Sequence, residues 1–77
     1  MKDEAKITNQ KLAIYLRKLR HEKKHSMRTL SEILGTPHSF VGKTEKQGRR
    51  LDFGEFVEYC RAMEEDPEVV FNAILKM

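Results

Sequence analysis

The amino-acid sequence predicts an all-α domain of five helices, the second and third joined as a helix-turn-helix. Three observations predict it. Apolar residues recur at helical spacing along the chain, and no segment shows the period-two alternation of a half-buried strand. Cap signals open several segments: Ser26, Thr36-Pro37, Asp52 with Glu55, and Asp66-Pro67. A glycine, Gly35, ends the second segment only two residues before the third begins, the spacing of a tight helix-helix turn.

The elements follow in order. Residues 1–7 carry no apolar stripe and read as a frayed tail, which leaves 8–77 as the folded domain. From about Thr8 to Lys24, Leu12, Tyr15, Leu16 and Leu19 fall at i, i+3, i+4 and i+7, one stripe of a first helix. Ser26 caps a second helix with Met27, Leu30, Ile33 and Leu34 on its buried face. Thr36-Pro37 reads as N-cap and first helical position, where the missing proline N–H costs nothing, so a third helix runs to about Lys46. The helix-turn-helix thus spans about 27–46. Gln47 to Arg50 form a turn. Asp52 and Glu55 make a capping box, with Leu51 and Phe56 as its hydrophobic staple. The fourth helix carries Phe53, Phe56, Val57, Cys60 and Met63 on its core side. Asp66-Pro67 opens a last helix, about 67–76, with Val70, Phe71, Ile74 and Leu75.

Size and composition limit what such a chain does. Seventy-seven residues with 39% hydrophobic and 35% charged content form one small core. A domain of that size buries only roughly 60% of its unfolded surface, so it builds no deep two-walled cleft. No apolar stretch approaches a membrane span, and the start "MKDEAK" lacks the apolar region of a signal peptide. The single Cys60 cannot pair within the chain, which fits a reducing, cytoplasmic setting. Charge is segregated. Residues 1–50 hold 13 Lys/Arg against 5 Asp/Glu, a balance of +8, while residues 51–77 hold 2 against 7, a balance of −5. A basic front and an acidic rear imply that one side meets a polyanion.

Two catalytic motifs are present in fragments. Gly42-Lys43-Thr44 ends like a phosphate loop, but that loop needs a glycine at position 37, where this chain has Pro37, and a preceding strand. "HEKKH", residues 21–25, spells H-E-x-x-H and would put His21 and His25 on one helical face. It lies past the end of the apolar stripe, with Lys23 and Lys24 beside it and no third ligand set up. The reading is a solvated helix end: no catalytic residues, no metal and no cofactor.

The third helix is weak by propensity. It contains Pro37, His38, Ser39, Val41, Gly42 and Thr44, and few strong helix formers. Residues kept despite that cost point to recognition, and the second helix of a helix-turn-helix enters the DNA major groove with its N-terminal side chains on base edges.

The segments "LAIYLRKLR", "SMRTLSEILGTPHSFVGKTEKQGRRLDFGEFVEYCRAM" and "DPE" resemble the phage-repressor/Cro-type (Xre-like) helix-turn-helix family over about residues 11–68. The resemblance implies a five-helix lambda-repressor-like domain. Leu30, Leu34 and Val41 resemble its core positions, Gly35 its turn glycine, and Arg20 and Glu45 the ion pair that ties the first helix to the third. Departures bear on function. Met27 stands where Gln is common, so a phosphate contact there falls to Arg28 or Lys24. Ser31 stands in place of a small Ala, which implies looser packing, and Thr44 in place of a larger apolar residue. His38 and Gly42 replace Gln and Ser, so the bases read differ from those of relatives.

On this reading His38, Ser39 and Lys43 face bases. Arg28, Thr36, Lys46, Gln47, Arg49 and Arg50 suit phosphate oxygens, which position without specifying. Val70, Phe71 and Ile74 on the last helix are the candidate dimer contact. The expected function is a sequence-specific, non-enzymatic transcriptional regulator: a dimeric repressor or autoregulator on an operator in double-stranded DNA, cytoplasmic and nucleoid-associated when bound. The alternatives are an antitoxin with a toxin partner, a restriction–modification controller, or a protein-interaction module with vestigial DNA binding.

Overall fold

The computed structural model describes residues 2–46 and 48–77. Among them are five α-helices and no strand: α1 Lys2–Glu22, α2 Met27–Leu34, α3 Ser39–Lys46, α4 Phe53–Ala62 and α5 Pro67–Leu75. At about 1.5 Å per residue, the 21 residues of α1 span most of the longest dimension, 34 Å. α1 packs on α3 and α5, while α2 packs on α3 and α4.

The core draws on all five helices. Leu16 and Leu19 come from α1, Leu30 from α2, Val41 from α3, Phe56, Tyr59 and Cys60 from α4, and Val70 and Ile74 from α5, with Met63 just beyond α4. Burial of Cys60 pushes its thiol up to about 11, so it stays protonated and inert.

Local chemistry sets most ends as the sequence dictates. The Ser26 side chain accepts from the Thr29 N–H, and Gly35 closes α2 with φ of 70°. Asp52 and Glu55 form the reciprocal capping box of α4. Asp66 caps α5 ahead of Pro67.

Five expectations are corrected. Ile33, expected on the buried face of α2, is 50% exposed. Residues 2–7 are not a tail but the first turns of α1. Asp3 and Glu4 favour its positive N-terminal end, and the Thr8 hydroxyl donates to the Glu4 carbonyl at 2.9 Å. With no apolar stripe there, propensity rather than packing extends the helix. α1 also stops at Glu22 rather than Lys24, because Lys24 turns left-handed with φ of 60° and the His25 N–H returns to the Arg20 carbonyl. α3 starts at Ser39, not Pro37: the Thr36 hydroxyl turns back to the Ser31 carbonyl instead of capping forward. On α4, Phe53 is 78% exposed rather than core, and the fully buried aromatic is Tyr59, which the stripe assignment omits.

Candidate nucleic-acid interface

The turn between α2 and α3 is built from α2 outward. At Gly35 a side chain would be strained by the left-handed backbone. Its N–H donates to the Glu32 carbonyl and the Thr36 N–H to the Ser31 carbonyl, so two of the last four carbonyls of α2 are satisfied. Ser31, fully buried, then reaches across the turn. Its hydroxyl donates to the His38 carbonyl at 3.3 Å and accepts from the Val41 N–H at 3.4 Å. The serine in place of alanine therefore ties the two helices together where looser packing was expected. It serves one of the unpaired N–H groups at the start of α3, which lacks a cap of its own.

The inner face of α3 is anchored by Val41 and Thr44, both buried, the Thr44 hydroxyl donating to the Phe40 carbonyl. Below them lies the pair that ties α1 to α3. Arg20 Nε donates to Glu45 Oε2 at 2.7 Å and Nη2 to Oε1 at 3.0 Å, a bidentate bridge with side chains 6% and 0% exposed. Nη1 donates to the His25 carbonyl at 2.8 Å. The hydrogen bonds it donates to Glu45 hold the guanidinium above its usual pKa, against desolvation, so it stays charged.

The outer face is open. His38, just before α3, and Ser39 and Lys43 on it are exposed. Around them the cations divide into two kinds. Lys46 and Arg50 are exposed and make no ion pair among the described residues. Arg49 is held: its guanidinium lies 4.5 Å from the Phe40 ring centroid and donates to both Glu55 oxygens, at 2.9 and 3.2 Å. That fork makes Arg49 a clamp between α3 and the α4 cap. Arg28, Nε 3.6 Å from Glu32, is also partly engaged. The Thr36 hydroxyl is taken up within the turn. Gln47 lies outside the described residues.

Glu32 went unnoticed in the sequence. It sits between Arg28 and His38, 3.4 Å from His38 Nε2, and adds an acceptor to an otherwise basic face. Its spacing of four from Arg28 on one helix was the signal available. Gly42 abuts α2: a Cβ there would lie 3.7 Å from Met27 Sδ, ordinary contact.

The other expected sites separate. Val70 and Ile74 are 1% and 6% exposed and belong to the monomer core, so of the three assigned to a dimer contact only Phe71, at 49%, presents substantial surface. His21 and His25 do not share a helical face, since α1 ends between them. Among the described residues no helix is long and apolar enough to cross a membrane.

The fold has close counterparts. An "XRE-family like protein" from Pseudomonas syringae pv. tomato str. DC3000 superposes with a TM-score of 0.91 at 34% identity, covering 99% of this chain and 93% of that one. The wild-type restriction-modification controller protein C.Esp1396I matches with a TM-score of 0.82 at 19% identity, over 90% of this chain and 91% of that one. A Tyr-to-Phe mutant of the controller matches at 0.82 and 20%, over 90% and 87%. No protein-family model matches the chain, and neither does any curated protein.

Proposed function

This chain belongs to the XRE family of helix-turn-helix transcription regulators, and from that premise we propose that it is a dimeric repressor or autoregulator that reads an operator through α3. The observation that carries the reading is the two-sidedness of α3. Val41, Thr44 and Glu45 fix its inner face, while His38, Ser39 and Lys43 stand exposed on the other. Lys43 is a donor for guanine O6 and N7, and His38 and Ser39 accept several edges. Lys46 and Arg50 hold phosphates on either side, with Arg49 contributing through its clamp on Phe40. Regulation is by occupancy, the bound protein excluding polymerase.

Pairing follows from the size of the reading surface. One recognition helix covers a few base pairs, and a dimer covers two half-sites about 34 Å apart. The surface that supports pairing is a groove of about 290 Å³ with an almost wholly apolar lining that includes Leu12, Leu51, Phe53, Phe56, Phe71 and Leu75. Phe53, Phe71 and Leu75 are 78%, 49% and 59% exposed. Large side chains gathered like this on a small domain mark an interaction site.

Selection of bound fragments from genomic DNA tests the reading. A shared inverted repeat, lost on Lys43→Ala, is the expected result, and recovery of unrelated fragments by both proteins would overturn it. Sedimentation tests the pairing: Phe71→Asp and Phe53→Asp should each give a folded monomer, and a variant that remains dimeric would move the interface elsewhere.

A further inference from the structure

The first turns of α1 stand outside the core, and residues 3–8 are all exposed. They are nevertheless one wall of a groove of about 970 Å³. Its other wall is the end of α3 and the loop after it. Lys6, Asn9 and Gln10 line the first wall, and Lys46, Arg49 and Arg50 the second. The carboxylates in the lining are Asp3 and Glu45, and Glu45 is covered and bridged by Arg20. Lys6, like Lys46 and Arg50, makes no ion pair among the described residues.

We infer that this groove takes the sugar-phosphate backbone of the bound DNA, with Lys6, Asn9 and Gln10 as a second set of phosphate contacts. The inference rests on the DNA reading above and extends its footprint beyond the helix-turn-helix. Continuity carries it: Lys46 and Arg50, which flank the reading face of α3, also line this groove, so a strand that follows them passes in front of Lys6. The chemistry is suited as well. An ammonium and two amides are phosphate donors, and they carry no base preference. The helical extension of α1, which packs little, thereby has a use.

The test is the salt dependence of binding to a 30-base-pair duplex of random sequence, where phosphate contacts dominate. Wild type, Lys6→Ala, Arg50→Ala and Arg61→Ala are compared, Arg61 being an exposed cation on α4 outside the groove. Lys6→Ala should lower the log–log salt slope by about one unit, as one released counterion requires, so that between 50 and 200 mM salt it loses roughly three- to fourfold less affinity than wild type. Arg61→Ala should leave the slope unchanged. A wild-type slope for Lys6→Ala, with Arg50→Ala still reduced, overturns this inference and leaves the DNA reading standing. Equal losses from Lys6→Ala and Arg61→Ala overturn it too, as a plain net-charge effect. Absence of salt-dependent binding by the wild type removes both.

Discussion

Glu45→Ala should weaken DNA binding by unfolding the domain, because the Glu45 side chain is fully covered and locks α3 to α1. The substitution leaves the Arg20 guanidinium, 6% exposed, with the His25 carbonyl as its remaining strong acceptor. Breaking a buried pair from one side costs about 3–5 kcal/mol, since the surviving charge is neither solvated nor matched. A 77-residue domain at roughly 0.05–0.15 kcal/mol per residue has about 4–12 kcal/mol in all. The loss therefore ranges from a quarter of the stability to the whole of it. Urea titrations of Arg20→Ala, Glu45→Ala and the double variant give the coupling, expected above about 2 kcal/mol for a bidentate, water-shielded pair and large beside the few tenths seen for distant sites. Arg20→Met with Glu45→Leu, which replaces both charges by apolar groups, should return stability to near or above wild type. Under conditions where Glu45→Ala is folded, its affinity should lie within about threefold of wild type, below the 1.4 kcal/mol that marks a tenfold change. A coupling under about 0.5 kcal/mol would refute the lock.

Four further outcomes are expected. Tyr59→Phe should stabilise the domain by about 1 kcal/mol, because the Tyr59 hydroxyl is buried without a partner among the described residues; a loss of similar size in urea would show that it has one. Gly42→Ala should stabilise α3 by roughly 0.5–1 kcal/mol, as the added methyl meets only Met27; if the same variant loses DNA affinity, the glycine is there for close approach of the DNA. Arg50→Ala should reduce the salt slope by about one unit and leave stability alone, whereas Arg49→Ala should lower stability as well, since Glu55 and Phe40 lose their partner; identical behaviour of the two would dissolve the distinction. Hydrogen bonds from Arg49, then the Asp52 N–H, hold the Glu55 carboxyl below its usual range, so its contribution is complete above the unfolded pKa near 4.3 and is lost as pH falls through the folded value; Glu55→Gln should flatten the acid limb of a stability–pH profile, and an unchanged limb would exclude the group.

Helix starts were legible in the sequence where a side chain does the capping, as Ser26, Asp52 and Asp66 do, because the cap and the helix lie within one short stretch. The start of α3 was not, because its capping group, Ser31, comes from another helix. The ends of α1 and α4 were hidden for a related reason: Lys24 and Glu64 adopt the left-handed conformation that a glycine would have announced. The stripe of α4 was right at Phe56, Cys60 and Met63 and wrong at Phe53. Phe53 is apolar and in register, yet it sits in the first turn and is 78% exposed, while Tyr59 reads as half-polar and is fully covered. Of the candidate site, the exposure of His38, Ser39 and Lys43 was legible from position in the motif. The occupied state of Arg49 was not, since Glu55 and Phe40 flank it from two different helices.

The same division explains how a poor helix persists. α3 has eight residues, a glycine inside and no cap of its own, and alone it would not form in water. Its order is imposed by neighbours: Ser31 at its start, Val41 and Thr44 beneath it, Arg20 on Glu45 near its end, and Arg49 stacked on Phe40. None of these contacts involves the side chain of Ser39 or Lys43, and His38 contributes only its carbonyl and a contact with Glu32. On the proposed reading, the base-facing residues therefore carry little of the stability, and Ser31, Val41, Thr44 and Glu45, which carry much of it, lie away from the reading face. Substitutions at His38, Ser39 and Lys43 are free to change the sequence read at a cost within about 0.5 kcal/mol, the range of ordinary surface changes. A change at Ser31 or Glu45 disturbs the platform on which all three stand.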